Sequence, residues 1–151
     1  MIVTYPDGST KEFQQGATFG DAAEAISPQF AKRVVVAAVD GELYDLSAEL
    51  PGDVSVMFHT FDDDEGKHTY WHSSAHVMAA AVKRLFPEAK VTIGPAIEDG
   101  FYYDFDVNEP FTEDDLEKIE TEMKAIVEED DPFVRENTTR DDAMAWFREE
   151  G

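Results

Sequence analysis

The sequence contains no cysteine, few basic residues and no long apolar run. The absence of cysteine excludes disulfide bonds and thiolate chemistry. No apolar segment approaches the roughly 18 residues that a membrane span requires. The N-terminal segment also lacks the charged and apolar regions of a signal peptide. Together these features predict a cytoplasmic protein that does not interact with a membrane.

Acidic residues outnumber basic residues by 34 to 12, which gives a net charge of −22. Apolar residues still make up 42% of the 151 positions, so we expect one or two small domains with a core rather than disorder. Scattered acidity on such a chain is typical of a halophile's solvated surface, where about 1 M salt screens charges beyond about 3 Å. The alternative is an acidic protein with a basic partner.

The first 61 residues have the pattern of a small mixed domain. We expect strands near residues 2–5, 11–13, 34–39, 43–46 and 53–58, with 34–39 central and covered on both faces. A short helix follows Thr18, whose capping partner is Asp21, and Asp40-Gly41 predicts a hairpin turn. This order is that of a ubiquitin-like β-grasp fold. The P-D-G-S turn, the T-x-x-D helix start and V-V-A-A-V-D-G-E-L-Y-D-L resemble a TGS domain, which occurs in several unrelated enzymes.

Residues 62–69 are charged and contain a glycine, so we interpret them as an acidic linker to a second domain at residues 70–151. That domain begins with a predicted helix at residues 70–86, which Pro87 ends. Strands are expected at 90–93 and 101–106, followed by a long helix capped by Thr112. A weak strand at 133–134 and a final helix after Thr139 complete the prediction. The predicted fold class is α+β.

Three histidines, His68, His72 and His76, repeat at intervals of four residues. On a helix they share one stripe, and a pair one turn apart can converge on one point. Such a pair can bind a metal, or orient and deprotonate a water molecule near an ester. It can also merely form hydrogen bonds at the start of the helix. H-S-S-A-H lacks the glutamate of a metalloprotease H-E-x-x-H motif, and the residues by themselves leave all three possibilities open.

The stretch H-S-S-A-H-V-M-A-A-A-V-K-R-L-F-P, followed by V-T-I-G-P-A-I-E-D-G-F-Y-Y-D-F-D, resembles the second domain of bacterial-type threonyl-tRNA synthetases. In that family it is the α/β editing domain, which hydrolyses serine wrongly attached to threonine tRNA, and a TGS-like domain usually precedes it. The family site also contains a C-x-x-x-H pair that this chain does not include. The resemblance therefore implies that the chain stops inside the editing domain.

The resemblance assigns roles to individual residues. His72 and His76 match the family's H-x-x-x-H pair and are the candidate catalytic residues for editing, without a bound metal. Tyr103 matches a position close to the substrate pocket, with a plain core aromatic as the alternative. The local basic cluster supplies the candidate RNA contacts, which are weak ones: Lys83, Arg84 and Lys90.

Partners and cofactors also follow from the resemblance. The expected partners are threonine tRNA and, for the full-length enzyme, a second subunit bound through a core that these residues lack. ATP, Mg²⁺ and zinc are expected in that core, and no cofactor is expected in this part. We therefore expect no aminoacylation and little editing from the 151 residues by themselves.

Two other functions fit the sequence. One is a free-standing metal-dependent hydrolase that uses His68, His72 and His76. The other is a non-catalytic module in which the β-grasp domain binds a partner or a small ligand.

Overall fold

The computed structural model describes residues 1–132, 134 and 136–149. Its N-terminal unit contains six strands and two short helices: β1 (Ile2–Thr4), β2 (Thr10–Glu12), α1 (Phe19–Glu24), α2 (Pro28–Ala31), β3 (Val34–Val39), β4 (Glu42–Tyr44), β5 (Val54–Ser55) and β6 (Met57–Thr60). The predicted capping box is present, since the Thr18 hydroxyl accepts from the Asp21 amide at 3.1 Å. Helix α2 was not predicted; Pro28 starts it after a Ser27 N-cap.

The strands form two three-stranded sheets, in the orders β2-β1-β5 and β4-β3-β6. Strands β1 and β5 are parallel, and the other pairs of the N-terminal unit are antiparallel. Val56 lies between β5 and β6 and donates to the Thr4 carbonyl at 3.0 Å, so residues 54–60 connect the two sheets. This arrangement confirms the predicted β-grasp fold.

Strand β3 is the central strand of its sheet, as predicted. Ala37 faces a core that contains Val3 and Phe19. Val36 and Ala38 are buried on the other face, where the long helix α3 (Asp64–Leu85) packs against β3 and β6. Because side chains alternate along a strand, burial on both faces explains the continuous apolar run in this segment.

Helix α3 (Asp64–Leu85) begins six residues earlier than the predicted start at residue 70. The prediction of a linker at residues 62–69 is therefore wrong for residues 64–69, which form the first turns of the helix. Asp64 and Glu65 lie in the first turn, where the helix dipole stabilises negative charge. The acidic composition that indicated a linker is instead that of a helix N-terminus.

The rest of the chain packs around the second half of α3. It contains β7 (Lys90–Val91), β8 (Ala96–Ile97), β9 (Gly100–Phe101), β10 (Phe105–Asp106), α4 (Glu113–Glu129) and α5 (Arg140–Glu149). Strand β7 pairs with β10, and β8 pairs with β9. The predicted strand at 101–106 is split into β9 and β10, and β8 was not predicted. Val134 is not in a strand, and Phe133 lies outside the described residues.

A second core joins α3 to α4. Ala81, Val82, Ala89 and Ile119 are buried there, and aromatic side chains surround them. Large apolar side chains of α4 and α5 remain exposed: Leu116, Val127, Trp146 and Phe147. None of the helices in the described residues has the length and hydropathy needed to cross a bilayer.

Candidate functional site

Helix α3 places His72 and His76 side by side on an exposed face. Their Nε2 atoms are 3.1 Å apart, and the rings are perpendicular with centroids 4.7 Å apart. A hydrogen bond at this distance needs one nitrogen to donate and the other to accept, so at least one imidazole is neutral in this arrangement. The predicted convergence of the pair is present, and both rings are accessible to a substrate or to water.

The surroundings of His76 favour its neutral form. Partial burial lowers the pKa of His76 from its usual value, and the neighbouring His72 lowers that pKa further by charge repulsion. A neutral imidazole near pH 7 can accept a proton from water. The lowered pKa of His76 therefore favours the neutral form that a general base requires.

His68 lies two turns before His76 on the same stripe, about 12 Å away along the helix axis. It is exposed. Among the described residues, no group of three His, Cys, Asp or Glu side chains is placed to hold a metal ion. The metal-dependent hydrolase stays a prediction.

Tyr103 lies between β9 and β10, with its ring stacked on Phe105 at a centroid distance of 4.7 Å. The same ring covers Gly94, where an added Cβ would approach the Tyr103 Cγ to 2.8 Å. These contacts are packing contacts, as the core-aromatic alternative describes. The assignment of Tyr103 to a substrate pocket stays a prediction.

The three cations predicted to contact RNA all have partners within the protein. Arg84 donates to both carboxylate oxygens of Glu129 at 2.8 Å and to Glu122 at 3.1 Å, and these carboxylates raise the pKa of Arg84. Lys83 donates to two backbone carbonyls beyond the end of α3. Lys90 pairs with a β10 aspartate at 3.3 Å. Contact with a phosphate would require each cation to exchange its present partner, so the RNA role stays a prediction.

Sequence reasoning missed an aromatic cluster where the two units meet. The ring of Phe61 lies 5.0 Å from Tyr70 and 5.7 Å from Trp71, in edge-on contacts. The indole nitrogen of Trp71 is enclosed without a hydrogen-bond acceptor in the described structure. The available signal was the aromatic pair Tyr70-Trp71 directly before His72, but its contact with Phe61 depends on how α3 packs.

The N-terminal unit matches a known domain family, because residues 1–60 fit the TGS domain. The whole chain is similar to threonine–tRNA ligases. It is 52% identical over 149 residues to the enzyme of Symbiobacterium thermophilum, covering 99% of this chain and 23% of that protein. It is 49% identical over 151 residues to the enzyme of Carboxydothermus hydrogenoformans, covering 100% of this chain and 24% of that protein. It is 50% identical over 149 residues to the enzyme of Hyphomonas neptunium, covering 99% of this chain and 23% of that protein.

The chain thus spans about a quarter of the length of the curated relatives it matches. The match includes the TGS domain, the histidine pair and both later helices, with no large unmatched segment of this chain. Along its whole length, the chain matches the N-terminal region of bacterial threonyl-tRNA synthetases, with a TGS domain at residues 1–60.

Proposed function

We propose that the chain is the N-terminal region of a threonine–tRNA ligase and that His72 and His76 form part of a site that hydrolyses serine from wrongly charged threonine tRNA. The observation that supports this proposal is the exposed pair of imidazoles, with ring nitrogens 3.1 Å apart. The lowered pKa of His76 adds to it. Relatives about half identical to the chain carry the name threonine–tRNA ligase.

The hydrolysis needs a water molecule to add to the carbonyl carbon of the aminoacyl ester. One imidazole accepts a proton from that water, and the bond between the carbonyl carbon and the ribose oxygen then breaks. The ribose oxygen takes up the proton, so the products are free serine and uncharged tRNA. A positioned general base accelerates such a reaction by about 10²–10⁴-fold.

Serine differs from threonine by one methyl group, which a binding pocket discriminates by only about 1–3 kcal/mol. A second, hydrolytic site is therefore the physical solution to accurate charging. The synthetic reaction with ATP, the Mg²⁺ and zinc that serve it, and the homodimer contact belong in this proposal to the parts of the ligase outside these residues. The enzyme is proposed to work in the cytoplasm, and the charge of −22 on these 151 residues fits a halophilic host.

The test uses the complete ligase with His72→Ala and His76→Ala. We expect deacylation of seryl-tRNA to fall by about 100-fold or more, while threonylation of tRNA stays unchanged. His68→Ala is the matched control, because this exposed histidine lies on the same stripe outside the 3.1 Å pair. Full deacylation in both pair variants would refute the proposed role, and tightly bound zinc lost with the same variants would favour the metal-dependent hydrolase.

A further inference from the structure

A pocket of about 520 Å³ lies at the junction between the TGS domain and α3. Eight residues line this junction pocket: Lys32, Arg33, Val35, Thr60, Phe61, Asp62, Tyr70 and Trp71. The cations come from the segment between α2 and β3, while the aromatic residues come from the end of β6 and the second turn of α3. The pocket therefore exists only because the two units pack against each other.

The charge of the junction pocket is opposite to that of the protein. Two cations and one carboxylate line it, whereas the whole chain carries −22. Within the described residues, the Lys32 ammonium has no ion-pair or hydrogen-bond partner. Arg33 pairs with Asp62 at 2.7 Å, but both side chains are mostly exposed, and exposed pairs of this kind are weak and exchange easily. An anionic group could thus be bound by both cations.

The aromatic residues of the junction pocket remain accessible. Phe61 is 40% exposed and Tyr70 is 47% exposed, although each contacts two other rings. Rings that are fixed by edge-on contacts and still open to solvent can stack against a flat, unpaired base. The combination of phosphate-binding cations and stacking rings is characteristic of sites for single-stranded nucleic acid.

We propose that the junction pocket binds an unpaired nucleotide of RNA, with its base stacked on Phe61 or Tyr70 and its phosphate bound by Lys32 and Arg33. The choice of RNA as the source of the nucleotide rests on the proposed function. Tyr70 lies two residues before His72, about 3 Å along the helix axis. An RNA strand held in the pocket would therefore lie beside the helix that carries the histidine pair. Lys32 would supply a phosphate contact without first breaking an ion pair or hydrogen bond, whereas Lys83, Arg84 and Lys90 would each have to leave a present partner.

The experiment titrates the 151-residue chain with a 12-nucleotide unstructured RNA, and separately with AMP, at about 0.15 M salt. At this ionic strength charges beyond about 8 Å are largely screened, so the distant carboxylates oppose binding little. Trp146→Phe leaves Trp71 as the only indole, and its fluorescence reports occupation of the pocket. Anisotropy of labelled RNA gives the affinity.

Lys32→Gln and Phe61→Leu should each weaken RNA binding by about tenfold, and Lys32→Gln should reduce the salt slope by about 0.7. Lys11→Gln is the matched control, since Lys11 is an exposed cation of the same domain on the distant strand β2. Circular dichroism and the thermal midpoint establish that Phe61→Leu remains folded. Phe61→Leu keeps an apolar side chain and removes only the stacking ring.

AMP binding as tight as RNA binding, with the same response to both variants, would show that the pocket takes a free nucleotide. Equal RNA affinity in the unmodified chain, Lys32→Gln and Phe61→Leu would overturn the proposal. Absence of binding by both ligands at millimolar concentration would overturn it as well. The two proposals can fail separately. If His72→Ala loses deacylation but Lys32→Gln leaves the RNA affinity unchanged, the junction pocket is rejected and the proposed function stands.

Discussion

Replacing Gly66 by alanine should destabilise the protein, although alanine is the better helix former. Gly66 is buried in the first turn of α3. An added Cβ would overlap the Thr60 carbonyl oxygen and lie 2.6 Å from its carbonyl carbon. This carbonyl also accepts a hydrogen bond from the Asp63 amide at 3.0 Å. The obstacle is therefore a fixed backbone group, and only a shift of the helix or of the end of β6 can relieve the overlap.

The magnitude follows from two opposing effects. Replacing a helical glycine by alanine gains about 1 kcal/mol of helix propensity. Forcing extra volume into a packed site costs about 1–3 kcal/mol. Because the obstacle is the Thr60 backbone, the cost at Gly66 should lie at the upper end of this range. We expect a net loss of about 2 kcal/mol in the free energy of unfolding. The shift should also separate Phe61 from Trp71, whose rings lie 5.7 Å apart.

The assay is urea unfolding at fixed salt, with the midpoint and the slope m compared between variants. His68→Ala is the control, because it introduces alanine at an exposed position of the same helix and should be neutral or stabilise by a few tenths of a kcal/mol. A Gly66→Ala protein as stable as the unmodified chain would refute the close packing of α3 on Thr60.

Three other predictions follow from the charges. His72→Gln should raise the pKa of His76 only part of the way to its usual value, as measured by NMR titration, because burial remains the larger cause. The folded-state pKa lies below that of the unfolded chain, so the contribution of neutral His76 to stability should be complete above about pH 6.5 and lost as the pH falls below it. The ion pair with Lys118 and the hydrogen bonds from the helix cap lower the pKa of Asp115 to about 2. Asp115→Asn should therefore remove stability that is present above about pH 4 and lost as the pH falls towards 2. Glu113→Gln, in the same first turn of α4, is the matched control. With a net charge of −22, the chain should gain unfolding free energy as NaCl rises from about 0.1 M to 1 M, and full stability at low salt in thermal unfolding would contradict the halophilic interpretation.

Local sequence signals predicted several features correctly. The capping boxes at Thr18 and Thr112 are present, and Asp40 and Gly41 adopt φ values of 51° and 83° in the predicted hairpin turn. The convergence of His72 and His76 was also predictable. Each of these features involves residues within four positions of one another, so the backbone geometry of a turn or a helix determines it directly.

Charged and aromatic residues were harder to interpret. Asp64 and Glu65 were predicted to lie in a linker, but they begin α3. The prediction failed because acidic side chains are common in loops and are also favoured by the dipole at the first turn of a helix. The cations Arg84 and Lys90 looked available for RNA, yet each pairs with a carboxylate at least 16 residues away in the sequence. A distant partner of this kind leaves no periodic signal near the residue itself.

The sequence alone determined the β-grasp order of elements, the helix caps and the stripe of histidines, because short-range hydrogen bonds and side-chain periodicity specify them. Only the tertiary structure decided where α3 begins, which cations are already paired, and that Phe61, Tyr70 and Lys32 line one pocket. These depend on the packing of α3 against β6 across the Gly66–Thr60 contact. Segments far apart in the chain meet at this contact because their surfaces are complementary, and a local sequence pattern does not predict such complementarity.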